Sequence, residues 1–172
     1  MLSPFQGEAI RSLSREEIYK VVKYFIEAIL KMKQCGFDGV QLHAAHGGLL
    51  SCFLSPYTNR RIDEYGDSVE NRVRIVREII SESREEVSNF PILIKMNCTD
   101  YVEGGLDMDT FPALAKEIEN SGVDALEISG GMWDCLVRSE EELGFRPVPA
   151  PNPIPASIAR TSRVISGNSL KN

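Results

Sequence analysis

His43 and His46 are the only histidines in the chain, and they stand three positions apart in Leu42-His43-Ala44-Ala45-His46-Gly47. Such a pair suits three chemistries. It can begin a metal site, although no third His, Cys or carboxylate ligand stands at local spacing. It can simply cap a strand end. Or it can aim two imidazole donors at one oxygen and stabilise negative charge developing there during a reaction. The last is the reading we prefer, that of a carbonyl- or anion-binding pair. Three residues along a continuing strand point to opposite faces, so convergence requires the strand to break near His43.

Two other groups join the pair. Lys95 follows the apolar run Phe90-Pro91-Ile92-Leu93-Ile94. At that position it is either an edge residue that keeps its ammonium in water or a cation held beside a negatively charged ligand atom. Ser129-Gly130-Gly131 would let backbone amides approach a ligand closely, or would serve only as a tight turn. Tyr57 and Tyr65 read as packing groups. Arg60 and Arg61 read as ion-pair partners of Asp63, Glu64 or Glu70. Cys52 has no neighbour that marks it as reactive.

The elements that position these residues alternate. Ser14 and Glu17 form an S-x-x-E capping box, and Ile18, Val21, Val22, Phe25, Ile29 and Met32 follow at helical spacing until Gly36. A short strand, Gly39 to Leu42, leads into His43. A second helix starts at Ser68, with Val69, Val73, Val76 and Ile80 on its apolar stripe and a solvated Arg/Glu face opposite. The Ile92–Met96 run reads as a strand buried on both faces. A third helix from about Asp109 to Asn120 turns inward Phe111, Leu114, Ala115 and Ile118, and Val123 to Ser129 is the third strand. The order αβαβαβ predicts a parallel α/β sheet or barrel, with ligands at the C-terminal strand ends. The connection from His46 to Ser68, about 20 residues against a usual 2–6, is expected to be an ordered lid or wall beside the site.

Composition narrows the function. The chain has 172 residues, 19 Lys+Arg against 25 Asp+Glu and a net charge of -6, with no dense basic block. A nucleic-acid face is therefore not expected. Neither is a membrane segment, because the apolar runs are short. The cysteines, at 35, 52, 98 and 135, form no C-x-x-C and read as reduced thiols, which points to the cytoplasm. From residue 147 prolines alternate through Pro155, so 1–150 reads as the folded domain and 151–172 as a Pro/Ser-rich irregular tail.

The run Gly36-Phe37-Asp38-Gly39-Val40-Gln41-Leu42-His43-Ala44-Ala45-His46-Gly47 resembles the Old Yellow Enzyme family, in the branch of 2-enoate and dienoyl-CoA reductases. So do Phe53-Leu54-Ser55-Pro56, Asn59-Arg60-Arg61, Asp63-Glu64-Tyr65-Gly66, Glu70-Asn71-Arg72, Ile94-Lys95-Met96-Asn97 and Leu126 to Gly131. The resemblance covers roughly residues 10–150 and implies a partial TIM (β/α)8 barrel, about strands four to six. A complete barrel needs roughly 200–250 residues. It also implies FMN as cofactor, NAD(P)H as electron donor, and a small unsaturated carbonyl or enoate substrate. His43 and His46 would bind the substrate oxygen, and Lys95 would lie beside flavin N1 and the C2 carbonyl.

The sequence departs from the family in places. Where many relatives carry a proton-donating Tyr, this chain has Gly48; where Gly-Gly-Ser is common, it has Gly66-Asp67-Ser68. The outer barrel strands and the flavin-phosphate site are not recognisable. Two readings follow: an ene-reductase-type oxidoreductase segment completed by a complementary fragment or a homo-oligomer, and a non-catalytic remnant or assembly module that does not bind flavin alone.

Overall fold

A computed structural model describes residues 11–132. The elements are α1 (Arg15–Gln34), β1 (Val40–Ala44), α2 (Leu49–Leu54), α3 (Val69–Val87), β2 (Ile92–Asn97), α4 (Phe111–Asn120) and β3 (Ala125–Ser129). The strands form one parallel sheet in the order β1-β2-β3. Sequential order with helical crossovers is the arrangement of consecutive units in a (β/α) barrel. The tail from 151 and Cys135 lie outside the described residues.

Local chemistry explains the helix boundaries. The Ser14 side chain accepts from the Glu17 N–H while the Glu17 carboxylate accepts from the Ser14 N–H, so both arms of the expected capping box are present. Gly36, at φ 81°, takes the left-handed turn that ends α1. Ser68 caps α3 as expected, accepting from the Asn71 N–H. The core face of α1 is Ile18, Val22, Ile26 and Ile29, whereas Met32 is exposed. Ile26, not Met32, completes the stripe.

All the helices share one layer. α3 packs between α1 and α4, and α2 packs against α3 and β1. Leu42, Ala44, Ile92, Ile94 and Met96 point into this layer and are buried. Each such Ile contributes about 1.5–3 kcal/mol through burial. The other face carries Gln41, His43, Leu93, Lys95 and Glu127, all partly or fully exposed. β2 is therefore covered on one face among the described residues, not on both as its apolar run suggests. Leu93 and Lys95 face the open side, which is the interior side of a barrel.

Of the two forms expected for the long connection, lid or wall, its first half is the wall: it contains α2, whose Leu50, Phe53 and Leu54 are buried in the core. Three side chains pin the rest. The Asn59 amide donates to Phe53 O and Tyr65 O. Arg61 pairs with Asp63 at 2.6 Å, as the charge pattern predicts. Arg72, on the face expected to be solvated, is buried and donates to Leu54 O and Asp67 O. Tyr65 is a packing residue, edge-on to Phe53 at 6.4 Å. Its hydroxyl donates to Glu78, and burial pushes its pKa up to about 12.

Candidate active site

The C-terminal ends of the three strands bring the expected residues together. His43 lies within β1 and faces the open side; His43 and Lys95 are register partners, and so are Lys95 and Glu127. One rung across the sheet therefore reads His43, Lys95, Glu127. β1 ends at Ala44, and His46 follows with a left-handed φ of 56°. That break lets the two rings converge: their centroids are 5.6 Å apart and the planes are tilted by 59°.

His46 is held from two strands. Its N–H donates to Asn97 Oδ1 at 3.3 Å, and its Nε2 lies 2.6 Å from Ser129 Oγ. Burial, then the positive charge of Lys95 and the proximity of His43, push its pKa below the ordinary imidazole value. Neutral His46 is thus a hydrogen-bonding group rather than a standing cation. Asn97 is buried, and its amide donates to Asp100 Oδ1 at 2.9 Å and to Gly131 O at 3.0 Å. Asp100, fully buried, also accepts from Ser55 Oγ and the Leu106 N–H.

Lys95 is neither a solitary edge residue nor an unpaired cation. Its Nζ lies 2.9 Å from Glu127 Oε1, and Glu127 Oε2 accepts from Gln41 at 2.6 Å. Lys95 and then Gln41 hold the Glu127 carboxyl below its usual range. Ser129-Gly130-Gly131 carries the pairing on past β3 rather than forming a tight turn: the Cys98 N–H donates to Ser129 O and the Gly131 N–H to Thr99 O. Gly48 lies under His43: a Cβ there would come within 3.2 Å of His43 Cδ2.

Sequence reasoning named His43, His46 and Lys95 and missed Glu127, Gln41, Asn97 and Ser129 as their partners. The signal for these four is register, since each follows from aligning the three strands by their C-terminal ends. Among the described residues no three His, Cys, Asp or Glu side chains come together as metal ligands. No helix of the described residues is long and apolar enough to cross a membrane.

Comparison with known proteins decides the family. The profile of the NADH:flavin oxidoreductase / NADH oxidase family matches residues 4–135. The chain belongs to that family. It is 38% identical to an NADH oxidase of Thermoanaerobacter brockii over 77% of this chain and 20% of the relative. It is 41% identical to an NADPH dehydrogenase of Bacillus subtilis over 69% of this chain and 35% of the relative. Among solved structures, 2-naphthoyl-CoA reductase in complex with 2-naphthoyl-CoA superposes with a TM-score of 0.72 at 36% identity, covering 77% of this chain and 20% of that one. The Old Yellow Enzyme homologue of Zymomonas mobilis gives 0.64 at 28%, covering 72% and 36%. Morphinone reductase with tetrahydroNAD gives 0.60 at 32%, covering 69% and 34%.

These NADH:flavin oxidoreductases use FMN, with NAD(P)H as electron donor. The chain spans about a fifth to a third of the relatives' length. A flavin edge on the open face would meet one cation there. Lys95, with 29% of its side chain exposed, is reachable from the open face and sits on the same rung as His43. Lys95 is also the one cation at the strand ends among the described residues.

Proposed function

We propose that this chain carries the substrate-oxygen site and one flavin-edge contact of an ene-reductase-type oxidoreductase. The convergence of His43 and His46 at the end of β1, on the same open face as Lys95, is the observation that carries the reading. When bound, FMN supplies a hydride to the β-carbon of an activated C=C bond, with NAD(P)H as the source of electrons. His43 and His46 donate to the carbonyl or carboxylate oxygen of the substrate and stabilise the charge that develops there. Lys95 places positive charge at the ring edge, moderated by Glu127. A small unsaturated carbonyl or enoate matches two imidazole donors aimed at one oxygen.

Gly48 stands where many relatives carry a proton-donating Tyr, so the proton for the α-carbon comes from solvent or from another group. The described sheet also leaves its inner face open and β1 and β3 as edges, which a complementary barrel fragment or a second copy would cover. The same openness favours the second reading, an assembly module that holds no flavin by itself.

Titrating the purified chain with FMN separates the two. The oxidoreductase reading expects a shift in flavin absorbance and co-elution of flavin with protein, weakened in Lys95→Ala. Absence of binding at high micromolar FMN rejects independent catalysis and leaves the assembly module.

A further inference from the structure

One ring nitrogen of His46 is already engaged. Its Nε2 lies 2.6 Å from Ser129 Oγ, a contact between residues 83 apart in sequence, and Ser129 is itself 7% exposed. The backbone of His46 is fixed separately. Its N–H donates to Asn97 Oδ1, and the Asn97 amide is oriented by two acceptors, Asp100 Oδ1 and Gly131 O. Asn97 and Ser129 are register partners, two positions beyond Lys95 and Glu127. Two adjacent strands thus grip one left-handed residue, Asn97 by its backbone and Ser129 by its ring. A non-glycine residue at positive φ persists only where its surroundings hold it.

We propose that Ser129 is a positioning residue that donates its hydroxyl proton to Nε2 of His46, fixing the ring as the tautomer protonated at Nδ1. The inference rests on the reading of the histidine pair as an oxygen-binding site. A neutral imidazole has one N–H and one bare nitrogen. If Nε2 donated to Ser129, the remaining nitrogen would turn a lone pair toward the ligand oxygen and repel it. With Ser129 as donor, Nδ1–H is free to point at that oxygen alongside His43, whose ring centroid is 5.6 Å away. A serine hydroxyl serves either role, so it can settle the tautomer without carrying charge.

The chain's two histidines make this directly measurable. Long-range proton–nitrogen spectra of the full chain labelled with 15N-histidine, recorded above pH 7 and assigned with His43→Gln, report which ring nitrogen carries the proton. The proposal expects a protonated Nδ1 and bare Nε2 for His46 in the unsubstituted chain. Ser129→Ala should move His46 toward the tautomer protonated at Nε2, leave His43 unchanged, and be reversed in Ser129→Thr, which keeps the hydroxyl. A His46 protonated at Nε2 in the unsubstituted chain overturns the proposal whatever the variants do, as does a His46 spectrum that Ser129→Ala leaves unchanged. Because no ligand or flavin is needed, the outcome is separable from the oxygen-binding reading. If His46 is protonated at Nδ1 yet neither ring responds to phenol in the FMN-loaded chain, Ser129's role stands and the oxygen-binding reading fails.

Discussion

Lys95 and Glu127 occupy one rung of the sheet, and their side chains close a 2.9 Å ion pair on the open face, with Gln41 as a second donor to the carboxylate. The pair acts on its neighbour: Lys95 lowers the His46 pKa and Glu127 raises it. Replacing Glu127 by Gln removes the raising influence and leaves the ammonium uncompensated, so the His46 titration midpoint should move further down. Histidine NMR titration of Glu127→Gln checks this, and an upward movement contradicts it. Stability should change by no more than about 1 kcal/mol, because the pair is solvent-exposed.

His46 also links stability to pH. Its folded-state pKa lies below the ordinary value of 6.5, so as pH falls through that value the unfolded chain takes up a proton that the folded chain does not. The stability contributed by neutral His46 is fully present above the unfolded pKa and declines as pH drops toward the folded one. Urea midpoints should therefore fall between pH 7.5 and pH 5.5, and less so in His46→Gln. An equal fall in both proteins removes His46 as the cause.

Gly66 is irreplaceable for steric reasons. A Cβ there would lie 2.3 Å from Arg61 O and 2.5 Å from Arg61 Cβ. Since the clash is with backbone, Gly66→Ala should destabilise by about 1–3 kcal/mol or more, read from the shift in denaturant midpoint. The neighbouring change from the family's usual Gly to Asp67 is accommodated at φ 69°, a left-handed conformation that Asp adopts more readily than most residues.

Arg72 is a test of the same wall. It is buried and joins the end of α2 to the turn before α3 through Leu54 O and Asp67 O. Arg72→Met retains the aliphatic bulk but leaves both carbonyls without this donor. The expected cost is about 2–3 kcal/mol, with flavin and ligand affinity altered less than stability, since the bonds of Arg72 go to Leu54 and Asp67 and not to His43, His46 or Lys95.

Much of this architecture was legible in the residues themselves. The Ser14–Glu17 capping box, the Ser68 cap and the alternation of helices and strands depend on local chemistry, and local chemistry is what a sequence displays. His43, His46 and Lys95 were visible because each stands close to the C-terminal end of a strand. Less legible were features set by distant partners. Arg72 looks solvated because a charge on a helix normally is, and its burial depends on carbonyls supplied by other segments. Leu49 to Leu54 is too short to show helical periodicity, so α2 does not stand out within the connection. The pairings of Ser129 with His46 and of Glu127 with Lys95 require the register of the sheet, which no single segment specifies.

The central claim is that His43 and His46 hold a ligand oxygen while Lys95 flanks FMN, and the most direct test compares the FMN-loaded chain with its His43→Ala variant during titration with phenol. Long-wavelength absorbance reads ligand stacking on the flavin. The account predicts that His43→Ala retains FMN and raises the phenol Kd about tenfold to a hundredfold, the effect of losing one hydrogen bond of roughly 1.5–3 kcal/mol to a charged group. Loss of FMN from His43→Ala with unchanged phenol affinity would contradict it.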